Sequence, residues 1–321
     1  MASKYSIGIG LNLFDARAIL LHQDGKVVLE IEKPRTNITA NETIEVLLDL
    51  FETISAKAKK YQDQIQGVGL ALGGIVHHKK GIVYWPQKQE TSYTYISVPL
   101  RDYLEKKFGF PVMIENDANA CVWAEYVKNF SDQKNIIYMF SGVGAGIIAD
   151  GKLYTGKDGA AGELFLHSKG EMSSLLGDFS FLKQWPADLG MVKLAKRLIS
   201  LGKETSLIKK ISPTGELSLK DVIEEAKKKD KLSREVLKEG AFSLGVKIAF
   251  LINLLNPELV IIGGGLENAG EFFLEECIGA VKTFSFSEIR KNCKIIFSAL
   301  GKEATSLGAA HMIFKKESLQ Q

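Results

Sequence analysis

Residues 112–128 read VMIENDANACVWAEYVK, and they predict a strand that leads directly into a helix. Val112–Ile114 is a short apolar run that is typical of a buried strand, and Asp117–Lys128 has the pattern of a helix. The polar residues Asn116 and Asp117 therefore fall where the strand ends. Ligands of open α/β sheets bind beyond this end of the strands, so the junction is a candidate binding site.

Three other apolar runs in the sequence also end in glycine-rich loops. In such loops, backbone N–H groups can approach a phosphate because glycine has no Cβ to obstruct them. We therefore expect the loops and the Asn116-Asp117 junction to converge on one cleft. The loops are Gly73-Gly74, Ser141–Gly146 and Gly263–Gly265.

The loop at residues 142–146, GVGAG, is not a dinucleotide-binding fingerprint, because that motif must open a helix. Here Ile147–Ala149 continues as a strand, and Asp150-Gly151 is a hairpin turn. Taken alone, the loop is equally consistent with an ordinary tight hairpin. The other strand ends favour the interpretation as a ligand-binding loop.

The order of the elements indicates an α/β fold. A glycine-bearing strand and hairpin begin near residue 5 and again near residue 135, with helical patterns between the strands. Residues 188–255 are expected to be mostly helical, with one break at Ser212–Gly215. We interpret the sequence as two related α/β halves that face a cleft.

The composition excludes several other classes of protein. The chain has 321 residues, of which 45% are hydrophobic, and its formal net charge is +3. These are ordinary globular values, and they do not indicate the concentrated basic face of a nucleic-acid binder. Its three cysteines lie far apart, so no disulfide framework is expected. Because neither a membrane-spanning segment nor a signal peptide is apparent, the chain is predicted to be cytoplasmic and not to bind a membrane.

Asp117 is the candidate catalytic residue. A carboxylate at this position can accept the proton of an alcohol as its oxygen attacks a phosphoryl group. Asp and Asn at a helix start are also common N-caps, and on spacing alone the capping role of Asp117 is favoured.

The other polar candidates give weaker signals. Glu163 follows the glycine-rich residues 159–162, and it is either a hydroxyl acceptor or a surface residue. His77 and His78 are expected to be solvated in a polar turn, which leaves His167 as the only histidine considered for a ligand contact. No cluster of Cys and His has the spacing of metal ligands, so no metal site is predicted.

Together these motifs resemble the ROK family (repressors, open reading frames and kinases) of the actin-like sugar-kinase superfamily. The resemblance extends from about Ser6 to Phe314. Its most specific pieces are ENDANA at 115–120, GVGAGII at 142–148 and NPELVIIGGG at 256–265.

The resemblance implies a two-lobed ribonuclease-H-like (actin-like ATPase) α/β fold with a ligand cleft between the lobes. Residues 1–117 and 303–321 would form the N-terminal lobe, and residues 118–302 would form the C-terminal lobe with a helical insertion. Asp117 would be the base on the sugar hydroxyl. The other implied site residues are Gly74, Asn116, Glu163 and His167 for the sugar, and Ser141, Gly142, Gly264 and Gly265 for ATP.

The sequence departs from the family's kinases in its first loop. Where those kinases have Asp-x-Gly-Gly-Thr, this chain has Gly10–Phe14, GLNLF. Mg²⁺ prefers carboxylate oxygens, and the Asp of that motif is replaced here by Gly10. ATP and Mg²⁺ are therefore implied as cofactors only if the protein is an active kinase. The family's zinc element should follow Glu163, but residues 168–183 contain no cysteine, so no structural zinc is expected.

Two functional hypotheses remain open at this stage. The first is an ATP-dependent kinase of a hexose or N-acetylhexosamine, with weak or absent activity because of the first loop. The second is a non-catalytic sugar-sensing ROK regulator. Only four residues precede the first strand, so direct binding of nucleic acid by this chain is not expected. The family also suggests a homodimer.

Overall fold

Each half of the chain contributes one five-stranded mixed sheet. The computed structural model describes residues 3–12, 14–34, 40–88, 93–141, 144–164, 190–213 and 215–318. The first half contains β1 (Tyr5–Leu11), β2 (Asp15–His22), β3 (Val27–Pro34), α1 (Ala40–Lys57), β4 (Ile65–Leu72), β5 (Ile75–His77), β6 (Ile82–Lys88), β7 (Tyr93–Val98), α2 (Leu100–Phe108) and β8 (Val112–Asn116). The remainder contains α3 (Asp117–Asn129), β9 (Ile136–Phe140), β10 (Gly144–Ala149), β11 (Lys152–Leu153), α4 (Met191–Ser200), α5 (Leu219–Lys227), α6 (Lys231–Leu255), β12 (Leu259–Gly263), α7 (Glu271–Phe284), α8 (Ser287–Arg290), β13 (Lys294–Phe297) and α9 (Ala304–Ser318).

The two large sheets have the same design. The first has the order β3-β2-β1-β4-β8, and the second has the order β11-β10-β9-β12-β13. In each sheet the first three strands form an antiparallel meander, and the last three pair in parallel. Strands β4, β8, β9 and β12 lead into the four polar or glycine-rich segments that the sequence identifies as candidate ligand sites.

A third, smaller sheet was not predicted from the sequence. It has the order β5-β6-β7 and is antiparallel throughout. Its strands follow directly from Gly73-Gly74, so it lies beside one of the candidate loops. The predicted helical region also has more breaks than expected, because α4, α5 and α6 are separate helices. No helix in the described ranges is long and apolar enough to cross a membrane.

Helices α3 and α9 join the two large sheets. Helix α9 packs on β1 and β4 of the first sheet, α3 packs on β9 and β10 of the second, and the two helices contact each other. A Cβ built on Gly69 of β4 would lie 1.9 Å from the Ala309 carbonyl oxygen, and one on Gly308 would lie 1.9 Å from that of Ala120. Only glycine therefore permits these backbones to pack so closely.

We expect Gly308→Ala to destabilise the protein strongly, since the added methyl group meets a backbone carbonyl at the α3–α9 contact. Overpacking of this kind typically costs about 1–3 kcal/mol of unfolding free energy. Gly279 is the matched control, because it also lies inside a helix but has open space around its Cβ position. Gly279→Ala should stabilise the protein by about 0.5–1 kcal/mol through helix propensity. Urea denaturation of both variants measures this difference, and equal effects would contradict the packing described here.

Candidate functional site

The junction between β8 and α3 places Asn116 and Asp117 side by side at the strand end. Asn116 is the N-cap of α3, and its side-chain oxygen accepts hydrogen bonds from the Ala118 N–H at 2.8 Å and the Asn119 N–H at 3.3 Å. The expectation that Asp117 is the cap is therefore wrong. The capping residue must have an extended backbone, and Asn116 has that conformation with a ψ of 144°.

Asp117 occupies the first position of the helix and lies against the Gly73-Gly74 loop. One oxygen, Oδ1, accepts the Ala118 N–H at 2.8 Å. A Cβ built on Gly73 would lie 3.3 Å from Oδ2, so this second oxygen faces the neighbouring strand end.

Hydrogen bonds of Glu115, Trp85 and Asn116 fix the geometry of the strand ends. The Glu115 carboxylate accepts the Asn116 N–H at 2.9 Å and the Asn119 side-chain amide at 3.0 Å. The Trp85 indole N–H donates to the Gly73 carbonyl at 2.9 Å. Next to it, the Asn116 side-chain amide donates to the Gly74 carbonyl at 3.3 Å, so two of the predicted sugar-binding residues are in contact.

Gly74 cannot be replaced readily by another residue. Its φ of 108° is unfavourable for residues with a side chain, and a Cβ would lie 3.0 Å from the Trp85 ring. The position therefore depends on glycine both for its backbone conformation and for its packing.

Glu163 enters the site from the second half of the chain. It forms an isolated antiparallel bridge with Gly144, at the start of β10. Burial, and to a smaller extent the charge of Asp117, raises the pKa of the Glu163 carboxyl to about 7. The Glu163 and Asp117 carboxylates therefore lie near each other. His167 and Gly142 lie outside the described residues.

The loop that precedes Glu163 is fixed against the small sheet. The His77 imidazole lies 3.7 Å from the Asp158 carboxylate, and the Lys79 ammonium donates to the Lys157 carbonyl at 3.3 Å. Gly159 packs so closely that a Cβ would lie 2.4 Å from His78 Nδ1. The expectation of solvated histidines is wrong, because the Nδ1 atoms of His77 and His78 are both buried.

The predicted ATP-binding residues Ser141, Gly264 and Gly265 lie together, but their polar groups bond within the protein. The Ser141 hydroxyl donates to the Gly264 carbonyl at 3.0 Å. The Gly264 N–H donates to the Tyr138 hydroxyl at 3.2 Å, and the Gly265 N–H donates to the Glu267 carboxylate at 2.9 Å. The Gly265 N–H is thus already bonded to a carboxylate of the protein.

The first loop is closed by its own asparagine. Asn12 Oδ1 accepts the Phe14 N–H at 2.8 Å and the Asp15 N–H at 3.0 Å, and Asn12 Nδ2 donates to the Asp15 carboxylate at 2.8 Å. At Gly10, a Cβ would lie 2.5 Å from the Thr305 side chain. A carboxylate side chain at position 10 would therefore require the start of α9 to move.

The described residues do not fit Mg²⁺-ATP. Gly10 offers no carboxylate, the first-loop N–H groups are already accepted, and Glu267 adds negative charge beside the glycine turn. Burial and the charge of Asp15 both raise the pKa of the Glu267 carboxyl. Across the described ranges, no group of three or more His, Cys, Asp or Glu side chains is arranged to hold a metal ion.

Sequence reasoning missed Asn12, Trp85 and Glu267. Asparagine often bonds to backbone N–H groups two and three residues ahead, so Asn12 in a turn gave a signal that could have been used. Trp85 and Glu267 gave none, because their partners are backbone groups whose availability depends on the local turns.

The paired mixed sheets, the helices between them and the polar strand ends define a protein of the actin-like sugar-kinase fold. The sequence profile of the ROK family matches residues 5–316, and the chain belongs to that family. Both the predicted fold class and the predicted family are thus confirmed.

Known relatives of the chain include both regulators and kinases. It is 30% identical to the xylose repressor of Caldicellulosiruptor bescii over 96% of this chain and 77% of that protein. It is 26% identical to the glucokinase of Halalkalibacterium halodurans over 99% of this chain and 97% of that protein. A ROK family glucokinase from Streptomyces griseus, solved with glucose and AMPPNP, superimposes with a TM-score of 0.73 and 23% identity over 97% of this chain and 99% of that one.

We expect Glu163→Gln to stabilise the folded protein above about pH 7 and to have a smaller effect below about pH 5. The folded-state pKa of about 7 exceeds the ordinary glutamate value of 4.5, so folding favours the protonated carboxyl. Native stability is therefore lost as the pH rises through this window, and glutamine removes that loss.

Unfolding free energies of the wild type and Glu163→Gln at both pH values test this expectation. Asp117→Asn is the companion variant, since removing the neighbouring charge should lower the pKa of Glu163. A difference between wild type and Glu163→Gln that does not change with pH would show that Glu163 is not perturbed in this way.

Proposed function

We propose that this ROK protein is a sensor that binds a neutral monosaccharide in its cleft and does not transfer phosphate to it. The observation that carries the proposal is the closed first loop, in which Asn12 accepts the N–H groups of Phe14 and Asp15. These N–H groups belong to the loop that corresponds to the phosphate loop of the family's kinases. In this chain they donate hydrogen bonds to Asn12 and stabilise the loop.

The polar groups of the site suit a polyhydroxylated ligand. Asn116, Asp117 and Glu163 supply amide and carboxylate oxygens that accept hydrogen bonds from vicinal hydroxyl groups. Asn116 and Asp117 come from the junction of β8 and α3 and Glu163 comes from a loop of the second half, so they can contact different hydroxyls of one ring. The relatives named above are a xylose repressor and glucokinases, which supports a neutral pentose or hexose as ligand class. N-acetylhexosamines remain in the same class, since an N-acetylglucosamine repressor is also related at 25% identity.

Phosphoryl transfer is opposed by electrostatics. Catalysis of this reaction depends mostly on positioning the phosphates and stabilising the charge that develops on them. Here Glu267 lies on the glycine turn, and Asp15 lies near enough to raise the pKa of Glu267. A polyphosphate would add further negative charge to this region without a carboxylate at position 10 to hold its Mg²⁺.

An ATP-dependent sugar kinase is the second candidate function. It is favoured by one observation, namely that Asp117 is not the helix cap and so keeps the position of a general base beside Glu163. In that case the first loop would have to open, with Asn12 releasing its two N–H partners.

Isothermal titration with xylose, glucose and N-acetylglucosamine tests sugar binding. We expect at least one of these sugars to bind, and Glu163→Ala to weaken its binding by about 1–3 kcal/mol because hydrogen bonds to hydroxyl groups are lost. Glu204→Ala is the matched control, since Glu204 is exposed and lies outside the site. Unchanged affinity in Glu163→Ala would rule out the proposed sugar contact.

Steady-state kinetics with ATP and Mg²⁺ on the best-binding sugar distinguish the two candidate functions. We expect no turnover above background, and an affinity for the sugar that ATP does not change. A turnover of about 1–100 s⁻¹ that is abolished by Asp117→Asn would establish the kinase and refute the sensor.

A further inference from the structure

A turn of the small sheet contacts the loop that carries Glu163. We call residues 77–79 the histidine turn and residues 155–163 the Glu163 loop. The turn belongs to the first half of the chain and the loop to the second. At the end of the turn, the Lys79 ammonium donates to the Lys157 carbonyl of the loop at 3.3 Å. The two halves of the chain are therefore joined directly at this point.

The two histidines of the turn contact the same end of the loop. His77 Nε2 lies 3.7 Å from an Asp158 carboxylate oxygen, and the two form an ion pair when the imidazole is protonated. A Cβ built on Gly159 would lie 2.4 Å from His78 Nδ1, so the His78 ring lies against this glycine. The same Cβ would lie 2.5 Å from the Val76 carbonyl oxygen, so the backbone of the loop packs directly on β5.

The histidine turn is itself fixed to the first half of the chain. The Gly81 N–H donates to the His77 carbonyl at 2.9 Å, which closes the turn. The Arg101 guanidinium donates to the Lys79 carbonyl at 3.2 Å, and the Arg101 N–H donates to the Gly81 carbonyl at 3.1 Å. Since Arg101 lies in the first turn of α2, the histidine turn is anchored to a helix and gives the loop a firm support.

The other end of the loop is attached next to Glu163. The Ala145 N–H of β10 donates to the Gly162 carbonyl at 2.8 Å. The Thr155 carbonyl accepts the Gly159 N–H at 3.1 Å, which folds the loop on itself. Because the loop is short and closed in this way, the contact at Gly159 also affects where Glu163 lies.

Glu163 needs this support because its position is electrostatically unfavourable. Burial, and to a smaller extent the charge of Asp117, raises the pKa of the Glu163 carboxyl to about 7. The ionised carboxylate is therefore favoured in water over its place beside Asp117. Contacts elsewhere in the loop must oppose its movement outward, and those with the histidine turn tie the loop to the half of the chain that contains β8.

His78 also lies close to the opposite side of the candidate site. Burial raises the pKa of the Glu115 carboxyl, and the nearby charge of His78 opposes that rise. Glu115 in turn accepts the Asn116 N–H at 2.9 Å. The same histidine thus lies between the loop that carries Glu163 and the carboxylate that holds Asn116.

We propose that His77 and His78 are positioning residues of the sugar site, which hold the Glu163 loop in place and so keep Glu163 beside Asp117. The inference rests on the proposed function, because it assigns the two histidines a role in sugar binding. Neither histidine has to touch the sugar, since their effect on the ligand passes through Glu163.

Hydrogen exchange of the unliganded protein tests the positioning without any sugar. In His77→Ala/His78→Ala, the amides of the Glu163 loop should exchange at least about tenfold faster than in the wild type, because the loop opens more often. The matched control is His22→Ala, since His22 also pairs with an aspartate and its side chain is 21% exposed, against 14% for His77. This control should leave the exchange of the loop unchanged.

The outcome of the exchange experiment is decisive for the loop. Unchanged exchange of the Glu163 loop in the folded double variant would overturn the proposal. If circular dichroism shows that the double variant is unfolded, His77→Ala alone replaces it. The conservative variant His77→Gln should keep the slow exchange of the wild type, because its side-chain amide can still donate to Asp158.

Isothermal titration with the best-binding sugar tests the role of the histidines in binding. The double variant His77→Ala/His78→Ala should weaken the affinity by about tenfold. In a Glu163→Ala background the same two substitutions should add no further loss, because residues that act through Glu163 have no effect once it is removed. An equal loss with and without Glu163 would overturn the proposal.

The two measurements separate this proposal from the proposed function. A wild type that binds none of the sugars would refute the proposed function, and the exchange experiment would still decide whether the histidines position the loop. A wild type that binds sugar, together with a double variant of unchanged affinity and unchanged loop exchange, would leave the proposed function standing and refute the positioning role.

Discussion

The contact between α3 and α9 is the constraint on which the rest of the structure depends. At Gly69 and Gly308, carbonyl oxygens of the facing helices occupy the space of a Cβ, so sheet and helices are packed backbone to backbone. The same contact positions the candidate site, because α3 begins at Asp117. It also restricts the first loop, since the start of α9 lies over Gly10. One packing arrangement thus determines the position of Asp117 and leaves no room for a carboxylate side chain at position 10 of β1.

The candidate site has two regions, one around Asp117 and one around Gly265, and they differ in the hydrogen-bond partners of their polar groups. At the strand end around Asp117, side-chain oxygens from both halves of the chain lie near one another, and burial together with the charge of Asp117 raises the pKa of Glu163. At the glycine turn around Gly265, the backbone donors are bonded to side chains of the protein itself. The first region therefore offers acceptors to a ligand, whereas the second offers few donors.

The sequence alone predicts the strands, the helices that follow them and the family, because these depend on local apolar patterns and on short motifs. It also identifies Asn116 and Asp117 as site candidates, but it assigns the cap to the wrong one. Both residues can cap a helix, and the choice depends on the backbone angles of the strand end. The small sheet was missed because its first strand, Ile75–His77, is too short to show an alternating pattern. The closure of the first loop was missed because the residue type of Asn12 does not reveal which N–H groups it accepts.

The packing at Gly10 also limits which substitutions the protein can accept at this position. An acidic residue at position 10 would introduce a Cβ 2.5 Å from Thr305, so the substitution costs stability before any metal ligand is gained. Replacing Asn12 alone would leave the N–H groups of Phe14 and Asp15 without their acceptor, and replacing Glu267 alone would change only the second region. Each of these replacements therefore disturbs packing or a hydrogen bond within the protein. An acidic residue at position 10 would consequently need a compensating change at Thr305 to be accommodated.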